Sequence, residues 1–257
     1  MNKQYHIGFD NKHGAKYALL PGDPGRVEKI AAFLDNPRFH CQNREYTTWL
    51  GEISGESVLV MSTGMGGPSA AIGVEELYAT GVRTFIRIGT CGGMDMNVKS
   101  GDAVIATGAI RMEGVTKEYV PIEFPAVADL TITNALVYAA NKLAATYHAG
   151  IVQCKDSFYG QHSPERMPVG GELMEKWKAW IKAGCLASEM ESAALYIVSQ
   201  ILRARAGCVL SVVWNQERVN AGITDPDCHD TELAIKIAVE ALRELIEKDN
   251  AKVGKKG

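Results

Sequence analysis

Short apolar runs, rich in β-branched residues, alternate along the chain with stretches of helical periodicity. The runs that predict strands are residues 17–20, 58–61, 84–88, 103–107, 149–154 and 208–214. Residues 27–34 and the segment around 72–78 predict helices. This alternation is typical of an α/β fold with a mostly parallel sheet. Three of the strands lead into glycine-rich turns, and such sheets bind ligands beyond the carboxyl ends of their strands.

The end of the chain predicts one long helix and a tail. Residues 231–248 carry an apolar face and predict an amphipathic closing helix. Residues 251–257 are basic and rich in small side chains, which predicts a flexible tail. Because no segment marks a second domain, we expect a single domain over residues 1–250.

Composition narrows the function classes. The formal net charge is -3, whereas proteins that bind nucleic acid or membrane surfaces usually present a net basic face. No apolar stretch approaches the roughly 18 residues of a membrane helix, and the polar N-terminus predicts no signal peptide. The six cysteines show no zinc-ligand spacing. Reduced thiols and a cytoplasmic location are therefore expected.

Arg87 interrupts an otherwise apolar predicted strand. A buried guanidinium without a partner is costly, so Arg87 must pair with a carboxylate, such as Glu75 or Glu76, or reach an anionic ligand. Arg26 follows a turn after another strand. Taken alone, Arg26 fits a solvated helix-capping residue equally well. Two guanidiniums after two strand ends favour a shared dianion such as phosphate.

Two further groups of residues are candidates for a binding site. Glu189 and Glu191 precede a helical pattern, and both can reach one pocket if Glu189 ends a strand and Glu191 begins the helix. The alternative is that they only complement the helix dipole. Phe158 can stack on a flat ring, and the Gln161 amide matches the edge of a nucleobase. The alternative there is an ordinary surface loop.

Taken in order, several segments resemble the nucleoside phosphorylase-I family, and most closely its uridine-cleaving branch. They are residues 21–30, 44–49, 62–69, 87–90, 123–129 and 189–192. The resemblance implies a single three-layer αβα domain around a mixed, partly barrel-like sheet. It implies phosphorolysis of uridine, and less efficiently of 2′-deoxyuridine, to uracil and the sugar 1-phosphate in pyrimidine salvage. Inorganic phosphate would be the co-substrate, with no cofactor required.

The family pattern assigns roles to residues of this chain. Phosphate would be held by Gly22, Arg26, Arg44, Arg87 and Thr90, with Arg44 supplied by a neighbouring subunit. The ribose would meet His6, also from the neighbour, together with Thr90, Met190 and Glu191. The base would face Cys91, Gly92, Phe158, Gln161, Arg166, Glu189 and Gln216. Catalysis would rest on Arg87, Glu191 and Arg166.

The same resemblance implies an assembly. Glu45, Met65 and Ser69 match positions that hold a potassium ion at a dimer interface. Dimers would assemble into a homohexamer, so the expected partners are further copies of this chain and small-molecule substrates. Neither nucleic acid nor a membrane is expected as a partner.

The chain departs from the uridine-cleaving pattern near the base. Asn215 is followed by Gln216, where that branch usually carries an arginine, and Arg218 is the candidate substitute. The loop 158–166 is also spaced differently, with residues 162–164 between Gln161 and Glu165, which leaves the role of Arg166 open.

Three alternative functions stay open. The first is a purine nucleoside phosphorylase, which usually carries an aspartate after the late strand, where this chain has no carboxylate before Glu217. The second is a hydrolytic nucleosidase, which does not need the phosphate-binding arginines. The third is a non-catalytic regulator that binds nucleosides without converting them.

Overall fold

The structure, a computed structural model, describes residues 3–253. The strands within this range are β1 (Tyr17–Pro21), β2 (Asp35–Asn43), β3 (Tyr46–Ile53), β4 (Glu56–Met61), β5 (Thr84–Gly93), β6 (Ala103–Met112), β7 (Ala126–Val127), β8 (Tyr147–Lys155), β9 (Ala187–Glu189) and β10 (Arg205–Asn215). The helices are α1 (Val27–Ala31), α2 (Gly67–Ala79), α3 (Val115–Tyr119), α4 (Leu130–Lys142), α5 (Phe158–His162), α6 (Gly170–Lys182), α7 (Ser192–Ile201), α8 (Gln216–Asn220) and α9 (Glu232–Val253). Short 3₁₀ turns cover Asn11–His13, Pro24–Arg26 and Pro164–Arg166.

Part of the sheet closes into a barrel. Strand β5 pairs with β10 in parallel and with β9 in antiparallel orientation. Strands β10, β6, β8 and β9 then pair in that order, which completes a ring of five strands. Strands β1, β4, β3 and β2 continue from the other side of β5 as an open sheet. The mixed, partly barrel-like α/β sheet is therefore confirmed.

Helices cover both faces of the sheet. One cluster of buried side chains includes residues of α2 and α7, and a second includes residues of α1, α4 and α9. Helix α7 is buried along nearly its whole length, which explains its almost uninterrupted apolar sequence. These two cores correspond to the expected layers of helix, sheet and helix.

The apolar runs predict the inner strands correctly, because each run is largely buried in β1, β4, β5, β6 and β10, and the second half of β8 is buried as well. The hairpin of β2 and β3 is not predicted by periodicity, because most side chains of β2 are exposed. Arg44 lies in the two-residue turn of this hairpin with a left-handed φ of 53°.

The glycine run after Arg87 was expected to be a turn, and that expectation is wrong. Residues 91–93 continue β5, and Gly92 and Gly93 pair with Ser188 and Ala187 of β9. A side chain at Gly93 would bring its Cβ within 2.6 Å of Asn215 Nδ2. Gly93 therefore leaves room for the Asn215 side chain where β5 and β10 run side by side in the barrel.

The closing helix is longer than predicted. Helix α9 continues to Val253 rather than ending at residue 248, and Lys252 complements the dipole of its last turn. The predicted flexible tail therefore begins as helix, while residues 254–257 lie outside the described residues. Among residues 3–253, no helix is both long enough and apolar enough to cross a bilayer.

Packing of α4 on β10 requires a glycine at position 207. A Cβ there would lie 2.4 Å from Ile132 Cγ2, so we expect Gly207→Ala to lower the free energy of unfolding by about 1–3 kcal/mol. Gly171→Ala is the matched control, because no described atom lies within 4 Å of a Cβ at that helical position. Calorimetric melting of both variants tests the packing, and equal melting temperatures would contradict it.

Candidate functional site

A cavity of about 590 Å³ opens at the carboxyl ends of β1, β5 and β9. Most residues expected from the sequence to form the substrate site line it: Gly22, Arg26, Arg87, Thr90, Cys91, Gly92, Phe158, Gln161, Glu189, Met190 and Glu191. Met65, expected at the potassium site, lines it as well. The location agrees with the rule that α/β sheets bind ligands beyond the ends of their strands.

Two guanidiniums meet at one end of this cavity. A Cβ built on Gly22 would lie 3.7 Å from Arg26 Nη2 and 3.8 Å from Arg87 Nη1. The missing side chain of Gly22 thus leaves room for a ligand atom between two cations. The Nη1 atoms of Arg26 and Arg87 are buried, and neither has a hydrogen-bond partner among the described residues. Paired, unsatisfied guanidinium donors are what a phosphate dianion requires.

Arg87 is held by the two carboxylates that precede α7. Its Nη2 donates to Glu191 Oε2, and its Nε lies 3.6 Å from Glu189 Oε2. The alternative that Arg87 pairs with Glu75 or Glu76 is therefore wrong. Glu76 instead binds the N-terminal segment, where its Oε1 lies 2.6 Å from His6 Nδ1.

The pKa values of the two arginines shift in opposite directions. Burial acts to lower the pKa of Arg87, but Glu191 and Glu189 outweigh burial and raise this pKa above its ordinary value. Arg26 has a lowered pKa, because burial and the nearby positive charge of Arg87 both disfavour its cation. An anion placed between the two groups would relieve this repulsion.

Glu189 and Glu191 do reach the same cavity, as β9 ends at Glu189 and α7 begins at Ser192. They have different roles. Both oxygens of Glu189 accept hydrogen bonds from the start of α7: from the Glu191 amide, the Ser192 amide and the Ser192 hydroxyl. Burial and Glu191 raise the pKa of Glu189. Glu189 was expected to bind the base, but both of its carboxylate oxygens accept hydrogen bonds that hold the start of α7 in place.

Glu191 is the carboxylate available to a ligand. Its Oε1 accepts from the Gly66 amide at 2.6 Å, and its Oε2 accepts from Arg87. Each carboxylate oxygen has two lone pairs, so both keep capacity for a further donor. A vicinal diol, which offers two hydroxyl donors, suits this carboxylate.

An aromatic row borders the opposite part of the cavity. The Phe158 ring lies 4.2 Å from the His162 ring, measured between centroids, and His162 lies 5.5 Å from Trp214. The sequence singled out Phe158 for stacking but missed the other two rings. A histidine in a loop and a tryptophan at the end of a strand are not distinctive until α5 and β10 are brought together.

A chain of polar contacts crosses the wall next to these rings. Lys155 Nζ donates to Ser188 Oγ, which donates to Gln161 Oε1 at 2.8 Å. Gln161 Nε2 in turn donates to Gln216 Oε1 at 3.2 Å. Burial lowers the pKa of Lys155, although Glu189 opposes that effect. The sequence analysis missed Lys155, yet the signal was available, since a lysine ends an apolar strand much as Arg87 interrupts one.

The structure corrects the expected role of Arg166. This residue is exposed on a 3₁₀ turn, with its guanidinium carbon 5.5 Å from the Tyr159 ring centroid. It is not among the described residues that line the cavity. Residues 162–164 of the loop form the end of α5 and the start of this turn, which carries Arg166 outward.

Arg218 does not replace the missing arginine either. Its Nε lies 3.2 Å from Asp225 Oδ2, and its Nη1 donates to Met96 O. Gln216 lies beside Gln161 in a second, adjoining cavity of about 260 Å³ rather than in the main one.

A loop that the sequence analysis did not single out also reaches the main cavity. Asp227 and His229, between α8 and α9, line it. The absence of a carboxylate immediately after Asn215 was counted against purine cleavage, but Asp227 brings a carboxylate to the cavity from further along the chain. That argument against a purine substrate is thereby weakened.

His6 and Arg44 are not among the described residues that line this cavity. They lie together elsewhere: Asn43 Nδ2 donates to His6 O at 2.7 Å, and the Arg44 guanidinium lies 5.9 Å from the Tyr5 ring. Arg44 is exposed at the tip of the β2–β3 hairpin. Their position is compatible with a contribution to the cavity of another copy, not to their own.

The residues expected at a potassium site form an oxygen-rich cluster. Ser69 Oγ lies 2.7 Å from Glu45 Oε1 and 2.5 Å from Thr63 O. A carboxylate, a hydroxyl and a carbonyl are hard oxygen ligands and fit a hard cation. Met65 is 80% exposed beside this cluster.

Comparison with known proteins agrees with this geometry. The family model of the phosphorylase superfamily matches residues 16–248. The chain is 54% identical to the uridine phosphorylase of Treponema pallidum (strain Nichols), over 96% of each chain. It is 41% identical to the uridine phosphorylase of Klebsiella aerogenes, over 94% of this chain and 98% of the relative. It is 36% identical to the guanosine phosphorylase of Halorubrum lacusprofundi, over 95% of this chain and the whole relative.

The guanidinium pair predicts binding of inorganic phosphate. Arg26→Met removes one cation, and we expect affinity to fall about tenfold or more, since a hydrogen bond to a charged group contributes about 1.5–3 kcal/mol. Arg83→Met is the control, because Arg83 is exposed and its guanidinium lies 3.9 Å from the Tyr78 ring centroid, away from the cavity. Isothermal titration with phosphate measures both. Unchanged affinity in Arg26→Met would rule out the anion site.

Proposed function

This chain belongs to the phosphorylase superfamily, and on that premise we propose that it is a uridine phosphorylase, a pentosyltransferase of pyrimidine salvage. It cleaves uridine with inorganic phosphate to give uracil and ribose-1-phosphate. The observation that carries the proposal is the convergence of Arg26 and Arg87 beside Gly22, in the same cavity as Glu191. The relatives named uridine phosphorylase support the choice of base.

Phosphate acts as the nucleophile and as a counter-charge. One of its oxygens forms a bond to C1′ while the C1′–N1 bond breaks, and the electron pair of that bond leaves with uracil. Positive charge builds on the sugar, where the nearby dianion stabilises it. Arg26 and Arg87 hold the dianion, and Thr90 offers a hydroxyl donor to the same oxygens. Positioning and electrostatics thus supply most of the catalysis.

Glu191 binds the ribose. Its carboxylate accepts from the 2′- and 3′-hydroxyls while the contact with Arg87 orients it. Met190, which also lines the cavity, packs against the sugar. A 2′-deoxy sugar leaves one carboxylate oxygen without its donor, so deoxyuridine reacts less well.

The base binds against the aromatic row, with Phe158 at the entrance and Gln161 at its edge. Cys91 and Gly92 form the floor of this part, since both line the cavity and Gly92 has no side chain to obstruct a flat ring. Trp214 Nε1 lies 3.6 Å from the position of a Cβ on Gly92. The departing uracil anion takes its proton from solvent.

Purine phosphorolysis is the second candidate. A relative named guanosine phosphorylase and the carboxylate of Asp227 in the cavity both favour testing it. The greater similarity to the two uridine phosphorylases places uridine first.

A nucleoside panel separates these activities. We expect uracil release from uridine only when phosphate is present, with slower release from deoxyuridine and little from guanosine or inosine. Chromatography of the free bases measures each rate. Equal uracil release in phosphate-free buffer would indicate a hydrolase, and faster release of guanine would indicate the purine enzyme. Binding of uridine without turnover in either buffer would indicate a regulator.

We propose that the active unit is an oligomer in which Arg44 and His6 complete the site of a neighbouring copy, with dimers assembled into a hexamer. The exposed position of Arg44 and its distance from its own cavity support this arrangement. Glu45, Met65 and Ser69 would hold potassium where the copies meet.

A cytoplasmic location is proposed as well, in keeping with the six free thiols among the described residues.

Mixing two inactive variants tests the shared site. Arg44→Ala and Glu191→Ala each remove one contribution, so each homo-oligomer should lose most of its activity. Co-refolded mixtures should regain part of it, because some hybrid sites contain intact Arg44 from one copy and intact Glu191 from the other. Steady-state uridine phosphorolysis measures the recovery. No recovery above the sum of the separate variants would contradict a site shared between copies.

A further inference from the structure

The departing base carries negative charge, and the residues expected to stabilise it do not lie at the site. Gln216 stands where an arginine was expected, Arg166 is exposed, and Arg218 is paired with Asp225. When the C1′–N1 bond breaks, its electron pair spreads over the base onto O2 and O4. Stabilising that charge in the transition state requires a hydrogen-bond donor or a cation in the cavity. This inference rests on the proposed phosphorolysis.

Lys155 is the cation that hydrogen bonds connect to the base-binding part of the cavity. It ends β8, is 5% exposed, and lines both the main cavity and the smaller adjoining one. Its ammonium has one hydrogen-bond partner among the described side chains, Ser188 Oγ. Its field reaches the aromatic row, since burial and then the positive charge of Lys155 lower the pKa of His162.

The ammonium orders the neighbouring polar groups. Lysine can only donate, so Ser188 Oγ accepts from it and must direct its own proton to Gln161 Oε1. The Gln161 amide is thereby fixed with its oxygen toward Ser188 and its two N–H donors facing the other way. One N–H goes to Gln216 Oε1, and the other remains for the base. Polarised chains of this kind strengthen their terminal donor.

We propose that Lys155 is a positioning residue that acts through Ser188 and Gln161 to aim an N–H donor at the negative charge of the departing base. The Lys155 ammonium thus does the work of the missing arginine through two intervening polar groups rather than by direct contact with the base. Gln161 is the group that touches the base, and Lys155 sets its orientation and donor strength.

The competing explanation is that Lys155 only balances the buried carboxylates. Burial lowers the pKa of Lys155, and Glu189 is the charge that opposes this effect most. Yet both Glu189 oxygens are engaged by the start of α7, and both carboxylates already face Arg87. A purely structural lysine would also affect all substrates alike, whereas one that stabilises leaving-group charge would not.

The test compares uridine with 5-fluorouridine in Lys155→Met. Fluorine withdraws electrons, so the fluorinated base leaves more readily and needs less help. We expect kcat/KM for uridine to fall about tenfold or more, with a clearly smaller loss for 5-fluorouridine. The loss should lie in kcat rather than KM, because the charge develops only in the transition state. Lys176→Met is the control, because this half-exposed lysine pairs with Glu172 and is not among the described residues that line either cavity, and it should leave kcat/KM for both nucleosides unchanged.

Ser188→Ala provides a second, independent variant, which keeps the charge and cuts the chain of contacts. It should show the same larger loss of kcat/KM for uridine than for 5-fluorouridine. The double variant should lose little more uridine activity than either single variant, since both residues act through Gln161. Lys155→Arg should recover part of the uridine rate by restoring a donor to Ser188.

Each outcome decides the proposal. Equal losses on both nucleosides, or no loss in Lys155→Met, overturn it while leaving the proposed phosphorolysis intact. If Lys155→Met does not fold, normal uridine turnover by Ser188→Ala overturns it, and a selective loss supports it. Wild-type protein that releases no uracil in phosphate overturns the proposed function and this inference together.

Discussion

The burial of Arg87 constrains the rest of the site. A guanidinium that is 4% exposed inside a closed barrel must be compensated, and Glu191 and Glu189 supply two negative charges. These contacts use Nη2 and bring a carboxylate to Nε, which leaves Nη1 facing Gly22 and Arg26. The same ion pairs that make the buried cation tolerable therefore point its free edge at the ligand. They also hold Glu191 where a sugar can reach it.

Close strand approach makes this geometry rigid. Gly92 and Gly93 of β5 leave room for the side chains of Trp214 and Asn215 on the neighbouring β10. Asn215 locks the rim: its Nδ2 donates to Asp95 O and Val98 O, and its Oδ1 caps α8. Rigid placement matters because a preorganised site spends no energy reorienting its charges during the reaction.

The base end of the cavity differs in design from the phosphate end. Arginines contact the phosphate position directly, whereas the base position is bordered mainly by neutral groups: aromatic rings, an amide and glycine backbone. The cation that lines the cavity there is Lys155, whose ammonium contacts Ser188 Oγ and, through it, the Gln161 amide. Neutral walls suit a flat, largely apolar base in its ground state, while a polarised amide responds only when the base becomes charged. Charge is thus concentrated where the substrate is always ionic.

The sequence by itself determined the alternation of strands and helices, the buried arginine, and the segments shared with the family. These signals are local: hydrophobic periodicity and residue order survive without knowledge of the path of the chain. Only the tertiary structure decided that Arg166 and Arg218 lie outside the cavity, and that Glu189 hydrogen-bonds the start of α7. It also decided which further residues line the cavity: Lys155, His162 and Asp227. Those outcomes depend on how the barrel closes and on the paths of the loops that carry Arg166, Arg218 and Asp227. The spacing of residues along one strand or helix does not reveal barrel closure or loop path, because the residues that meet are separated by tens of positions in the chain.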